Sequence, residues 1–146
     1  MSAATRDRAW LLAHLPHQGA MCLLDSVEAW DAVSLQARAG SHRDPGNPLR
    51  RAGMLPITAG IEYGAQAAAA HGALASAAPS GAGFLASMRG IAFHAARLDD
   101  IDGPLDIAVE QLGGGESGVL YRFHVSGGGR VMVEGRVTVA FVRTAT

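Results

Sequence analysis

The sequence predicts an α+β domain in which an antiparallel sheet of about six strands curls around one long central helix. Three observations lead there. The stretch ITAGIEYGAQAAAAHGALASA, between Pro56 and Pro79, carries the longest helical signal in the chain. It is apolar or small on almost every side, the mark of a helix buried within a core rather than lying on one. Two strand-like segments precede it and about four follow, with apolar residues recurring at alternate positions and glycine clusters between them.

Taken in order, Thr5 is placed to cap a short helix whose apolar patch is Trp10, Leu11 and Leu12, ended by Pro16. MCLLDSVEAWD, residues 21–31, and SLQARAGS, residues 34–41, read as strands joined by a turn at Asp31 and Ala32. Met21, Leu23 and Val27 alternate on the first, and Leu35, Ala37 and Ala39 on the second. Residues 42–53, HRDPGNPLRRAG, are crowded with Pro, Gly, Asp and Asn and predict an irregular loop. Pro56 suits the first turn of the long helix, where the amide hydrogen it lacks has no partner anyway. GFLASMRGIAFHAAR, LDIAVEQL, VLYRFHVS and RVMVEGRVTVAFVR then predict strands, broken at DDIDGP, GGGESG and SGGG. These glycines lie between strands, so they are hairpin turns and not phosphate-cradling loops, which open helices. A sheet wrapped in this way leaves apolar surface on its other face, which pairing with a second subunit would cover.

Composition narrows the function classes. The chain has 146 residues, 12 of them Arg and none Lys, against 13 acidic residues, for a net charge of -1. One domain spanning 1–146 is expected, and a chain of this size buries enough surface to hold a core without a staple. Balanced charge with no basic stripe argues against nucleic acid. A single Cys closes no intramolecular disulfide, and the absence of CxxC and HExxH spacings leaves no metal site or cofactor expected. The apolar run near the N-terminus is too brief for a signal core or a membrane span, so a cytoplasmic protein is expected.

The chemistry-bearing side chains centre on the long helix. Thr58, Glu62 and Gln66 are spaced four apart and share one face. A carboxyl on an apolar helix resists ionisation, and a raised pKa suits an acid catalyst. The alternative is that Glu62 sits at a solvent-facing edge or pairs with an Arg such as Arg89. An acid needs a base, and the imidazoles are His14, His17, His42, His71, His94 and His124. His42 stands out because it follows a strand and opens the loop leading to the Glu62 helix, although a loop His is also an ordinary surface residue. His94 and His124 fall on alternating strands and His71 on another side of the helix. Cys22 lies mid-strand beside Leu23 and reads as a core thiol.

Three segments carry a resemblance. LPHQGAMCLLDSV (15–27), SHRDPGNP and LPITAGIEYGAQ resemble, in order, the opening motif, the histidine segment and the helix motif of the FabA/FabZ-type 3-hydroxyacyl-carrier-protein dehydratases of the hotdog fold. The similarity is greatest to the ApeP-like branch associated with aryl polyene biosynthesis, for which GIEYGAQ and SHRDPGNPLRR are characteristic.

The resemblance implies dehydration of 3-hydroxyacyl thioesters to trans-2-enoyl thioesters, with His42 as catalytic base, Glu62 as its acidic partner and Gln66 in support. The base and acid would meet across a subunit boundary, in a homodimer or in a heteromer with a second hotdog dehydratase. The amide of Ile57 would polarise the thioester carbonyl, although the housekeeping enzymes carry Gly there. His17 would hold the N-terminal segment against the sheet. The substrate would arrive on the phosphopantetheine of an acyl carrier protein, with Arg43, Arg50 and Arg51 either a docking patch or ordinary solubilising charges. The segment bearing Arg50, Arg51 and Gly53 is longer than in the housekeeping enzymes, which implies a reshaped entrance. A hotdog acyl thioesterase and a non-catalytic partner subunit are the rival readings.

Overall fold

A computed structural model describes residues 5–75, 83–115 and 118–141. Its elements are α1 (Arg8–His14), β1 (Ser26–Trp30), β2 (Ser34–Ala39), α2 (Ala59–Ala75), β3 (Gly83–Phe93), β4 (Leu105–Gly115), β5 (Gly118–Gly127) and β6 (Arg130–Phe141). The six strands form one antiparallel sheet in the order β1-β2-β4-β5-β6-β3. The α+β architecture expected from the sequence is therefore the one observed, and β3 lies beyond β6 at the far edge.

Small side chains let α2 sit inside the curl. Every residue from Ala59 to His71 is buried except Glu62. At Gly64 a Cβ would collide with the Phe123 ring on β5, so the helix approaches the sheet as closely as it does only because that position has no side chain. Leu23, Leu24, Val27, Leu35, Tyr63, Leu98, Leu105, Ile107, Tyr121, Phe123 and Val125 close the core around it. One polar group in this core is fully matched: His71 bonds Tyr121 Oη through Nδ1 at 2.8 Å and the Asp31 carbonyl through Nε2 at 2.9 Å.

Three local expectations are corrected. The N-cap of α1 is Asp7, whose carboxylate accepts the Trp10 amide at 2.9 Å, and not Thr5. Asp satisfies an orphan helix amide as Thr would, so the error is one of register. The first strand begins at Ser26 and not Met21, because Gly19–Met21 form a 3-10 turn and Cys22, Leu23 and Leu24 are all buried, which no alternating strand permits. The long helix starts at Ala59, with Pro56 accepting the Ala59 amide at 3.0 Å in the turn just before it. Its predicted continuation toward Pro79 lies outside the described residues.

Candidate active site

The carboxyl of Glu62 is fixed by where α2 begins. Residues 55–57 are pinned from the side: Leu55 donates to Asp99 Oδ1 at 2.9 Å, Leu98 donates to the Leu55 carbonyl at 2.9 Å, and Ile57 donates to the Ala96 carbonyl at 3.1 Å. Glu62 then falls in the first turn of α2, where the helix dipole favours a negative charge. It opens on a cavity of about 420 Å³ lined mainly by Leu49, Pro56, Ile61, Leu85 and Met88, with Thr58 and Arg51 as polar members. Thr58 and Glu62 thus share this cavity as their spacing requires.

The imidazole that meets Glu62 in this chain is His17. Its Nε2 lies 3.2 Å from Glu62 Oε1, with the two side chains 19% and 29% exposed, respectively. The other ring nitrogen, Nδ1, is buried without a partner. Sequence reasoning favours the task of holding the N-terminal segment for His17 over a catalytic role. Its place in the LPH segment was the signal available, but nothing local in the sequence says which carboxylate lies opposite.

Gln66 brings the two together. It is fully buried one turn beyond Glu62, where Oε1 accepts the Leu23 amide at 2.9 Å and Nε2 donates to the Met21 carbonyl at 2.8 Å. Arg8 secures the same segment by donating to the carbonyls of Cys22 (2.9 Å) and Gly19 (3.0 Å). The chain after His17 is thereby tied to the face of α2 that carries Glu62, and Gln66 is placed as a backbone clamp. Cys22 is buried in this segment as expected of a core thiol, and burial raises its pKa.

Electrostatics at Glu62 run opposite to the sequence argument. Burial alone raises a carboxyl pKa, but the hydrogen bond from His17 outweighs it, and the His17 charge and the Gln66 amide act in the same direction. Glu62 is held below the usual glutamate range and rests as a carboxylate. The expectation of a raised pKa omitted the neighbour.

His42 occupies a different place. It is fully buried, its Nε2 bonds the Ile101 carbonyl at 3.1 Å, and its Nδ1 has no partner. Burial depresses its pKa, so the ring is neutral. It lines a separate cavity with Asp25, Arg38 and Arg43, and the chain does not by itself bring it to Glu62. The loop around it is rigidly tied: Ser41 Oγ and Asn47 Nδ2 both meet Tyr63 Oη, at 2.7 and 3.2 Å.

Hydrogen bonding bears on two further expectations. The Ile57 amide is engaged by Ala96 and is not free to polarise a carbonyl, whereas the Thr58 amide makes no backbone bond among the described residues and Thr58 lines the cavity. Arg50 donates to the carbonyls of Asp44 (2.9 Å), Gly53 (3.2 Å) and His42 (3.4 Å), which ties the loop to itself. The added segment forms a tight turn, with Ala52 and Gly53 both at positive φ and paired bonds between Arg51 and Met54 at 2.8 and 3.0 Å. Arg51 lines the Glu62 cavity and Arg43 the His42 cavity.

Two of the other imidazoles make ordinary contacts. His94 pairs with Glu134 at 2.8 Å on the exposed face, and His14 stacks on Trp10 with ring centroids 4.2 Å apart. Among the described residues no cluster of His, Cys, Asp and Glu is arranged to hold a metal ion, and no helix is long and apolar enough to cross a membrane.

Comparison with known proteins agrees with this fold. The model of the ApeP-like family, described as ApeP dehydratase, matches residues 11–145. Among solved structures, the chain is similar to the dehydratase heterocomplex ApeI:P from Xenorhabdus doucetiae, at a TM-score of 0.76 and 25% identity over 91% of each chain. It shares its fold with a mutant thioesterase from Pseudomonas aeruginosa (TM-score 0.67, 18% identity, 94% of each chain). A thioesterase from Haemophilus influenzae is also similar (TM-score 0.61, 10% identity, 90% of this chain and 82% of that one). No curated protein matches.

Proposed function

The chain belongs to the ApeP-like dehydratase family, and from that premise we propose that it dehydrates a 3-hydroxyacyl thioester to the trans-2-enoyl thioester, with Glu62 as the proton-transferring group and His17 as its hydrogen-bonded support. The observation that carries the reading is the His17–Glu62 contact at 3.2 Å beside an apolar cavity. A resting carboxylate is a base, and the cavity offers space for an acyl chain with the carbons next to the thioester at its polar end.

The reaction balances through one carboxyl group. Glu62 takes a proton from the carbon next to the thioester carbonyl, and the freed electron pair forms the new double bond as the bond to the 3-hydroxyl breaks. The protonated carboxyl then hands that proton to the departing hydroxyl, which leaves as water, and Glu62 is a carboxylate again. His17 donates its Nε2 proton to Oε1 and holds the other oxygen toward the cavity. The Thr58 amide, at the positive end of the α2 dipole, is the donor available to charge developing on the thioester oxygen. No resident cofactor enters this scheme. The substrate carries its own tether, which we take to be the phosphopantetheine of an acyl carrier protein in fatty acid or aryl polyene synthesis, and the reaction is placed in the cytoplasm.

A second chain completes the assembly in this proposal. The similar ApeI:P dehydratase is a heterocomplex, and among the described residues β3 pairs with β6 alone and leaves its other edge open. The resemblance-based alternative, in which His42 meets an acid supplied by that second chain, is favoured by the unpaired Nδ1 of His42. The thioesterase reading is favoured by the thioesterase neighbours and by the same carboxylate, which would activate water.

One experiment separates the three. Enoyl formation and free-thiol release are followed from the same 3-hydroxyacyl carrier-protein substrate, with a co-expressed partner chain present. Glu62→Gln and His17→Ala are each expected to lower enoyl formation by about 10² to 10⁴-fold, the usual worth of one acid–base group. Loss in His42→Ala with His17→Ala unaffected assigns the base to the subunit boundary, and thiol release without enoyl assigns a thioesterase.

A further inference from the structure

Glu62, Arg51 and Thr58 are the polar side chains that line the apolar cavity at the start of α2. Two of them are already engaged. His17 holds one oxygen of Glu62 at 3.2 Å, and the Arg51 guanidinium donates to the Arg50 carbonyl at 3.0 Å. Thr58 is exposed, and its hydroxyl forms no hydrogen bond among the described residues.

That hydroxyl is free because the helix does not need it. A threonine immediately before a helix ordinarily commits its side-chain oxygen to an orphan amide of the first turn. Here backbone carbonyls serve those amides: Ala59, Gly60 and Ile61 donate to Pro56, Ile57 and Thr58 at 3.0, 2.9 and 3.1 Å. The lead-in from Pro56 thus satisfies the groups a cap would satisfy, and the Thr58 hydroxyl is left to the cavity.

The reacting end of the substrate offers a match. A 3-hydroxyacyl thioester presents a carbonyl oxygen and a 3-hydroxyl separated by a few bonds, and the amide and hydroxyl of Thr58 are likewise a few bonds apart on one residue. With the amide on the carbonyl oxygen, the side chain is placed beside the 3-hydroxyl, on the helix face that carries Glu62 one turn later. Both hydroxyls donate and accept, so they pair in either sense. Glu62 has one oxygen committed to His17 and the other to the proton on the neighbouring carbon, so holding the 3-hydroxyl falls to another group.

We propose that the Thr58 hydroxyl binds the 3-hydroxyl of the substrate and is the residue by which the site distinguishes 3-hydroxyacyl groups from saturated ones. It donates to the departing oxygen and keeps its own proton; the proton that leaves with water is the one carried by Glu62. This rests on the reading of the Glu62 cavity as the acyl site, and not on which residue is the base.

Binding without turnover tests it. Two pantetheine conjugates, of 3-hydroxyhexanoate and of hexanoate, are joined through an amide in place of the thioester. Their dissociation constants are measured by calorimetry on the full chain with its co-expressed partner. The wild type is expected to hold the hydroxylated probe about three- to tenfold tighter, the worth of one neutral hydrogen bond. Thr58→Val keeps the backbone amide and the size of the side chain, and is expected to bind both probes equally, whereas Thr58→Ser is expected to retain the preference. Thermal melting of Thr58→Val is expected to match the wild type, since no capping bond is lost. A wild type that does not discriminate, or a Thr58→Val that still does, overturns the proposal. Should Thr58→Val fold poorly, Thr58→Ala takes its place with the same two outcomes. Dehydration by Glu62→Gln at the wild-type rate moves the base elsewhere but leaves this readout unchanged, so the two failures are told apart.

Discussion

His17 Nε2 lies 3.2 Å from Glu62 Oε1, and that bond holds the Glu62 carboxyl in its ionised form although the group is more than two-thirds shielded from solvent. Two opposing effects act on one oxygen: burial disfavours the charge, and a donated hydrogen bond with the helix dipole behind it favours the charge. The bond wins, which makes the carboxylate a standing base beside an apolar cavity.

Removal of the His17 ring therefore shifts Glu62 upward, because burial is then opposed by less. The acid limb of the kcat/KM profile of His17→Ala is expected to move to higher pH, with a rate at neutral pH lower by about 10²-fold or more. His17→Gln, which keeps a donor, is expected to recover part of both. The sign for stability follows: a depressed carboxyl contributes above its unfolded value of about 4.3, and the contribution is lost as pH falls through the folded value. An unchanged acid limb in His17→Ala excludes the dyad.

The elements that were legible in the sequence are those whose signal is local. The small-residue run of α2 and the alternation on β4 to β6 each appear within one segment and survive in the fold. Cys22, Leu23 and Leu24 were misread as strand because their backbone groups are satisfied by side chains from elsewhere, Gln66 and Arg8. The site divides in the same way. Glu62 was visible as a carboxylate on an apolar helix, whereas its contact with His17 depends on a tie between Gln66 and Met21, 45 positions apart. His42 was singled out by its segment, but its burial against Ile101 is a tertiary fact.

The core histidines make the fold sensitive to mild acid. His71 is fully buried between Tyr121 Oη and the Asp31 carbonyl, and burial lowers its pKa, as it does that of His42. The unfolded chain binds protons on both rings near pH 6.5. Stability is thus full above that value and declines as pH falls below it, at up to about 1.4 kcal/mol per pH unit for each ring, until the folded-state values are passed. Urea unfolding at pH 7.5, 6.5 and 5.5 checks this, and a flat midpoint contradicts it.

Gly64→Ala tests how tightly α2 sits against β5. Helix propensity favours Ala by about 1 kcal/mol. The new methyl, however, meets the ring of Phe123, which is fully buried and has nowhere to turn. Overpacking of this kind costs about 1–3 kcal/mol, so a net loss of stability is expected in a denaturant titration. A gain would mean that the ring moves aside at little cost.

Gln66 is the residue whose change separates placing the site from performing the reaction. Its amide group satisfies the Leu23 amide and the Met21 carbonyl, and it sits one turn from Glu62 without facing the proposed acyl cavity. Gln66→Leu leaves the buried Leu23 amide unmatched, at a cost of about 1–3 kcal/mol, and the Met21 carbonyl without its donor. It also releases the segment that follows His17. Activity is expected to fall by about tenfold or more, with the acid limb displaced upward in the direction given by His17→Ala, because both changes loosen the donor to Glu62. Gln66→Glu preserves the acceptor for Leu23 but not the donor to Met21, and it places a second carboxyl beside Glu62, so its acid limb is expected to lie higher still. Gln66 acts on Glu62 both through the segment that follows His17 and by its own hydrogen bond to the carboxyl, so the double variant His17→Ala with Gln66→Leu is expected to lose less than the product of the single losses by the shared part alone. Losses that multiply in full would instead mean that the direct Gln66 contact outweighs its hold on the His17 segment.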